Sequence, residues 1–336
     1  MARTNSIKNW LLITRAPTLL SVLVPVMVGF LAAGGELFTM RGLGFVAFAW
    51  AMHHFTFAHN SLLDAAYDVG KKDPEHHPLA SGAVSLGQAR TVVYAGMLVT
   101  CALGAALALT GGGNPAASLV CLLFFVIGGF AYNECSKVAP KAWALLALSF
   151  ACLTPFAYFA VAPAADARMI LLAGYFFLTF WFETWWSGNL KDLEFAGANA
   201  LRDMGVRVRG GRLVVEKKLA LYARVLKLSA IALAFAAMFG KSAFSGLCAG
   251  LIAALTIQLS WGLTQERAWD RPQVVFEIGC VEVASLLMPL VAAAGWAEVL
   301  ALAGFGIAWT LGTTRAAYGP FGKNTPRRKD EGKAEK

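Results

Sequence analysis

The chain has 336 residues, 58% of them hydrophobic and 15% charged, with a mean hydropathy of +0.59 and a formal net charge of +9. So few charged side chains cannot cover the surface of a soluble domain of this size, which excludes that class and points to a polytopic protein of the lipid bilayer. No basic segment interleaved with aromatics lies outside the apolar runs, so the positive charge gives no footing for a nucleic-acid partner.

Apolar runs fall at about 18–35, 43–63, 90–110, 117–134, 141–161, 168–188, 219–239, 243–263, 275–293 and 296–313. Each is long enough, or nearly so, to cross roughly 30 Å of hydrocarbon, which predicts an all-α protein of ten spans. The first run is followed at once by Arg41 and a second span, so it reads as a retained anchor. Lys and Arg cluster in alternate connections: Arg3, Lys8 and Arg15 before the first run, Lys71, Lys72 and Arg90 after the second, Lys137 and Lys141 after the fourth, Lys191 to Lys218 after the sixth, Arg267 and Arg271 after the eighth, and Arg315 to Lys336 at the end. The positive-inside rule puts these connections and both termini in the cytoplasm; nine spans would leave the basic tail outside. The expected organisation is a transmembrane domain over 1–314 and a basic cytoplasmic tail over 315–336. The six cysteines are scattered without C-x-x-C spacing and read as small packing residues.

Where the second run meets a polar loop, Asn60, Asp64 and Asp68 recur every four residues. On a helix each such step turns roughly 400°, so the three side chains form one stripe about 12 Å long. Carboxylates at membrane depth are costly and persist where they face a cavity, a partner or an ion. The end of the sixth run repeats the theme: Asn189, Asp192 and Ala196 share one face, although the third member is a methyl group. Magnesium favours oxygen ligands shared between a few carboxylates and substrate phosphates, and two acidic stripes around one mouth meet that need. Either stripe alone is also explained by helix-end solvation or by pairing with nearby Lys or Arg. His53 and Thr56 extend the first stripe into the membrane, as Trp181 and Trp185 extend the second, toward an isoprenoid tail or simply into the core. Glu183 and Glu282 lie inside apolar runs and require partners or water. Nine residues before Asp192, Glu183 falls nearly opposite it on an ideal helix and is left out of the metal site.

These motifs resemble the UbiA-type membrane prenyltransferase superfamily, whose first signature, N-x-x-x-D-x-x-x-D, is followed by a loop ending R-P-L-x-S-G. Here it reads Asn60, Asp64 and Asp68, then His76-His77-Pro78-Leu79-Ala80-Ser81-Gly82. The segment from Asn189 to Val208 is similar to the second signature of the dihydroxynaphthoate polyprenyltransferase branch, matching at Asn189, Lys191, Asp192, Arg202, Val206 and Arg207. Thr14 to Leu19 with Pro25 to Gly29 resembles that branch's first helix, and Tyr132 with Lys137 its tyrosine-containing connection. The likeness covers roughly residues 8–292. Three positions depart from it: Ala196 replaces the second aspartate of the later motif, His77 an arginine and Asp203 a threonine.

The resemblance implies a UbiA-like bundle of nine core helices with a tenth added, and transfer of a polyprenyl group from a prenyl diphosphate to a small acceptor, aromatic ones included, as in isoprenoid and quinone biosynthesis. It implies Mg2+ held by Asp64, Asp68 and Asp192, with Asn60 and Asn189 as further ligands or hydrogen-bond partners. Lys191, Arg202, Arg207, Tyr132, Lys137 and Trp185 become substrate-binding candidates, the basic ones serving either the diphosphate or topology. A membrane terpene cyclase, a homologue with altered catalysis and a transporter using membrane acids as ion ligands are the alternatives.

Overall fold

The computed structural model describes residues 6–69, 77–136, 139, 141–194 and 199–318. All ten apolar runs fold as helix. They correspond to α2 (Leu20–Ala32), α3 (Met40–Asp68), α4 (Leu86–Leu109), α5 (Pro115–Cys135), the pair α6 (Ala142–Ala151) and α7 (Leu153–Val161), α8 (Ala167–Phe182), α11 (Lys217–Ala237), α12 (Ala243–Leu263), α13 (Arg271–Ala293) and α14 (Trp296–Tyr318). A short α1 (Ser6–Ile13) precedes them, and α9 (Gly188–Lys191) and α10 (Ala200–Asp203) lie in the connection after α8. By length and composition α4, α5, the α6–α7 pair, α11, α12, α13 and α14 can each cross a membrane, as can the α1–α2 unit, which is bent by 47°. Of the other two runs, α3 carries Asn60, Asp64 and Asp68 and is less uniformly apolar, while α8 is shorter because it gives way at Glu183 to a π-helical turn.

The core is built around α2, whose residues Val22 to Leu31 are buried. Lipid supplies no hydrophobic drive between helices, so small residues and buried hydrogen bonds do the joining. α7 crosses α2 so closely at Gly29 that an added Cβ would stand 2.0 Å from the Thr154 carbonyl oxygen, and Thr154 Oγ1 donates to Pro25 O at 3.1 Å. The opposite faces of α4, α5 and α12 present Leu98, Leu123, Ile127, Leu247 and Leu251 outward, as a lipid-facing rim requires.

Each polar connection has a small core of its own. Ile13, Ala58, Ala65, Leu79 and Val84 pack the start of the chain and the loop after α3 against α4. Leu190, Leu193, Leu201, Val206 and Leu213 do the same beneath α11 and α13. The second connection also forms an antiparallel three-stranded sheet, β1 (Arg207–Arg209), β2 (Arg212–Val214) and β3 (Arg267–Ala268), with Val208 opposite Leu213 and Leu213 opposite Arg267. Gly210 and Gly211 take φ of 54° and 70° in the two-residue turn, a conformation that suits a tight hairpin and is costly for other residues. The sheet ties this connection to the one between α12 and α13.

Candidate active site

α3 is a single 29-residue helix, capped by Thr39 through its side chain, and it delivers Asn60, Asp64 and Asp68 on its last turns. Asn60 Nδ2 donates to Asp64 Oδ2 at 2.7 Å, and the Arg15 guanidinium reaches the same oxygen at 3.3 Å. His77 Nδ1 lies 3.0 Å from Asp68 Oδ2, so the histidine that replaces the family's arginine still engages this carboxylate. Arg15 was not among the site residues expected from sequence. It sits in the break between α1 and the short helical turn Ala16–Thr18, with φ 46° and ψ 43°, and is the one non-glycine with positive φ among the described residues. A left-handed L-residue costs roughly 1–2 kcal/mol, so this conformation has to be held.

The second motif leaves α8 through a π-helical turn, Glu183–Ser187, that runs straight into α9. Such turns widen the helix by one residue and leave carbonyls seeking donors. Asn189 meets that need: its Nδ2 donates to Thr184 O and Trp185 O at 3.2 and 2.9 Å. Its Oδ1 accepts from the Ala200 amide at 2.9 Å, and its carbonyl accepts from Asn199 Nδ2 at 2.7 Å. Asn189 thus knots the helix end to the start of α10, which carries Arg202. Lys191 contributes its carbonyl to Arg271 Nε at 3.0 Å, and Asp192 is exposed at the end of α9. Arg207 is exposed on β1. Trp185 is buried at 2% exposure among Trp143, Trp186 and Tyr222, in packing. Lys137 and Ala196 lie outside the described residues.

The charges of both motifs are felt on α5. Tyr132 lies within electrostatic reach of Arg15, Asp64 and Asp192 together. Its neighbour Asn133 is 3.1 Å from His59 Nδ1, which pins α5 to α3 one residue before Asn60. His53 is fully buried and its Nε2 lies 3.2 Å from the Arg15 carbonyl oxygen. The donors are hard carboxylate and amide oxygens, the chemistry magnesium prefers. Among the described residues no three His, Cys, Asp or Glu side chains gather closely enough to form a metal site by themselves, and the α3 carboxylates are partnered by the Arg15 guanidinium and the His77 ring. In type, then, the donor set fits a divalent ion shared with an anionic substrate.

Glu183 finds a partner in Lys227 of α11, whose Nζ donates to its Oε1 at 3.1 Å and to Ser285 Oγ at 2.7 Å while sitting 4.8 Å from the Phe182 ring centroid. Glu282 lies in reach of the same lysine, of Lys191 and of Glu183. Lys227 was missing from the sequence reading, although a lone lysine in the 219–239 run carries the same signal as a lone glutamate.

The UbiA prenyltransferase family model matches residues 22–286. No curated protein matches the chain. Among solved structures, a UbiA homolog from Aeropyrum pernix K1 superposes with a TM-score of 0.59 at 19% identity, covering 88% of this chain and 99% of that one. A digeranylgeranylglyceryl phosphate synthase does so at 0.60 and 15%, covering 85% and 98%. A UbiA homolog from Archaeoglobus fulgidus, bound to GPP and Mg2+, does so at 0.54 and 16%, covering 85% and 99%.

Proposed function

Since the chain belongs to the UbiA prenyltransferase family, we propose that it transfers a polyprenyl group from a prenyl diphosphate to a small acceptor within the membrane, using Mg2+. The observation that supports this reading is the Asn60–Asp64–Arg15 arrangement at α3, with Arg15 3.3 Å from Asp64, and the electrostatic reach of Tyr132 to Arg15, Asp64 and Asp192. The Archaeoglobus relative's GPP and Mg2+ support the same substrate class. Departure of the diphosphate leaves an allylic cation, and the site's task is to stabilise charge on the leaving group in a water-poor cavity. Magnesium, when bound, supplies Lewis acidity toward the diphosphate.

Asp64, Asp68 and Asp192 are the residues we assign to hold the ion. Asn60 orients Asp64 through its 2.7 Å bond. Arg15 offers a fixed positive charge beside that carboxylate, and Arg202, Lys191 and Arg207 extend the basic character of the second connection. Tyr132 of α5 stays among the substrate-binding candidates on the strength of its electrostatic reach to Asp64 and Asp192. An aromatic acceptor, as in the dihydroxynaphthoate branch and its quinone pathway, rests on the motif from Asn189 to Arg207. The alternate Lys/Arg-rich connections support a cytoplasmic mouth.

Purified protein given geranyl diphosphate and Mg2+ should consume it in the presence of a suitable acceptor. Asp64→Asn and Asp68→Asn should each abolish that consumption while the amount of membrane-inserted protein stays near the parent level. Unchanged turnover in both variants would sink the assignment.

A further inference from the structure

Two stretches outside the matched span, the Arg15 turn before residue 22 and α14 after residue 286, meet beside the site. The Arg15 turn presents three consecutive carbonyls; those of Arg15 and Ala16 accept the Thr18 and Leu19 amides at 2.9 and 3.3 Å, and side chains from both flanks add further bonds to the row. His53 Nε2 and Thr18 Oγ1 lie 3.2 and 2.9 Å from the Arg15 carbonyl oxygen. From α14, Trp309 Nε1 donates to Ala16 O at 2.7 Å and Thr310 Oγ1 to Pro17 O at 3.2 Å.

The contact is built along one face of α14. Gly306, Trp309, Thr310 and Thr313 follow the i, i+3, i+4, i+7 spacing that aligns side chains on a helix. At Gly306 a Cβ would stand 2.5 Å from the Leu20 side chain, so the glycine lets α14 approach the start of α2. A threonine within a helix commonly turns its hydroxyl back to its own chain four residues earlier, as Thr313 does to Trp309 O at 2.7 Å. Thr310 instead reaches across to the Arg15 turn. The product of these contacts is a left-handed residue whose guanidinium lies 3.3 Å from Asp64.

We propose that α14 is a positioning element of the active site: Trp309 and Thr310 hold the Arg15 turn in its left-handed form and thereby keep the Arg15 guanidinium beside Asp64 to receive the substrate's diphosphate. The inference rests on the prenyl diphosphate reading for its consequence, and on the hydrogen bonds alone for its structural half.

The experiment compares the parent with Trp309→Phe/Thr310→Val, which removes both donors and keeps bulk, and with Thr310→Ser, which retains the hydroxyl. Trypsin cleavage after Arg15 in detergent-solubilised protein, read by fragment mass, reports whether the turn is held, with no need of substrate. Calorimetric titration with geranyl diphosphate and Mg2+ reports the consequence. The double variant should be cleaved several-fold faster and should bind about tenfold more weakly, as expected for the loss of two neutral hydrogen bonds. Thr310→Ser should match the parent in both. In an Arg15→Ala background the double substitution should cost no further binding. Equal cleavage of parent and double variant, or a binding loss that persists in full without Arg15, overturns the proposal. Failure of the parent itself to bind geranyl diphosphate counts against the prenyl diphosphate reading instead, and the cleavage comparison still decides whether α14 holds the turn.

Discussion

Asn189 shows how one side chain can satisfy a motif and yet do different work. Its amide bonds go to Thr184, Trp185 and Ala200 of the backbone, so its role here is to close the π-turn and anchor α10. Asn189→Asp separates the two roles, because a carboxylate is at least as good a magnesium ligand but cannot donate to the two carbonyls. We expect it to lose turnover and to speed amide hydrogen exchange over residues 199–204; parent-like behaviour in both would restore Asn189 to the ligand set. The buried pair Lys227–Glu183, with side chains 3% and 9% exposed, makes a second prediction. Lys227→Met leaves a carboxylate in an apolar interior and should destabilise the protein by about 3–5 kcal/mol, whereas Lys227→Met/Glu183→Gln should recover most of the loss, both read by thermal unfolding in detergent. Sequence reasoning placed Asp64, Asp68 and Asn60 on one stripe because helical spacing is a local property. It could not supply Arg15, since the contact that brings this left-handed residue to Asp64 spans 49 positions of chain and no local pattern announces it.

Among elements, apolar length is what the sequence expresses most directly, and all ten runs are helical in the structure. The π-turn was not legible, because it depends on Asn189 and on packing against Trp143 rather than on any local pattern. The β1–β2 hairpin was legible and went unread: Gly210-Gly211 between Val208 and Leu213 is a two-residue turn signal hidden in a basic segment. Helix crossings provide a direct test of how these elements are joined. At Gly29 the neighbour is the Thr154 backbone, which cannot rotate away, so Gly29→Ala should cost roughly 1–3 kcal/mol of stability. Gly246 of α12 has nothing within 4 Å of an added Cβ, and Gly246→Ala should be neutral or gain up to about 1 kcal/mol from helix propensity. Melting temperatures of the two variants that move together would show that the α2–α7 crossing is not as close as described.

For the whole molecule, the alternation of Lys/Arg-rich connections argues for ten crossings with both termini in the cytoplasm. A reporter fused after Gly322 should therefore signal from the cytoplasm; a signal from the other side would reduce the crossings to an odd number and revise the reading of α13 and α14. The bond from Trp309 to Ala16 spans 293 positions of chain. A ribosome adding about 5–20 residues per second needs roughly 15–60 s to make that stretch, and α3 has left it long before. Throughout that interval the nascent protein carries both α3 carboxylates without the last helix that fastens the turn facing them. If these carboxylates serve catalysis as proposed, their surroundings are completed late in biogenesis, and damage to α14 should surface as protein that is inserted in full yet ripens slowly.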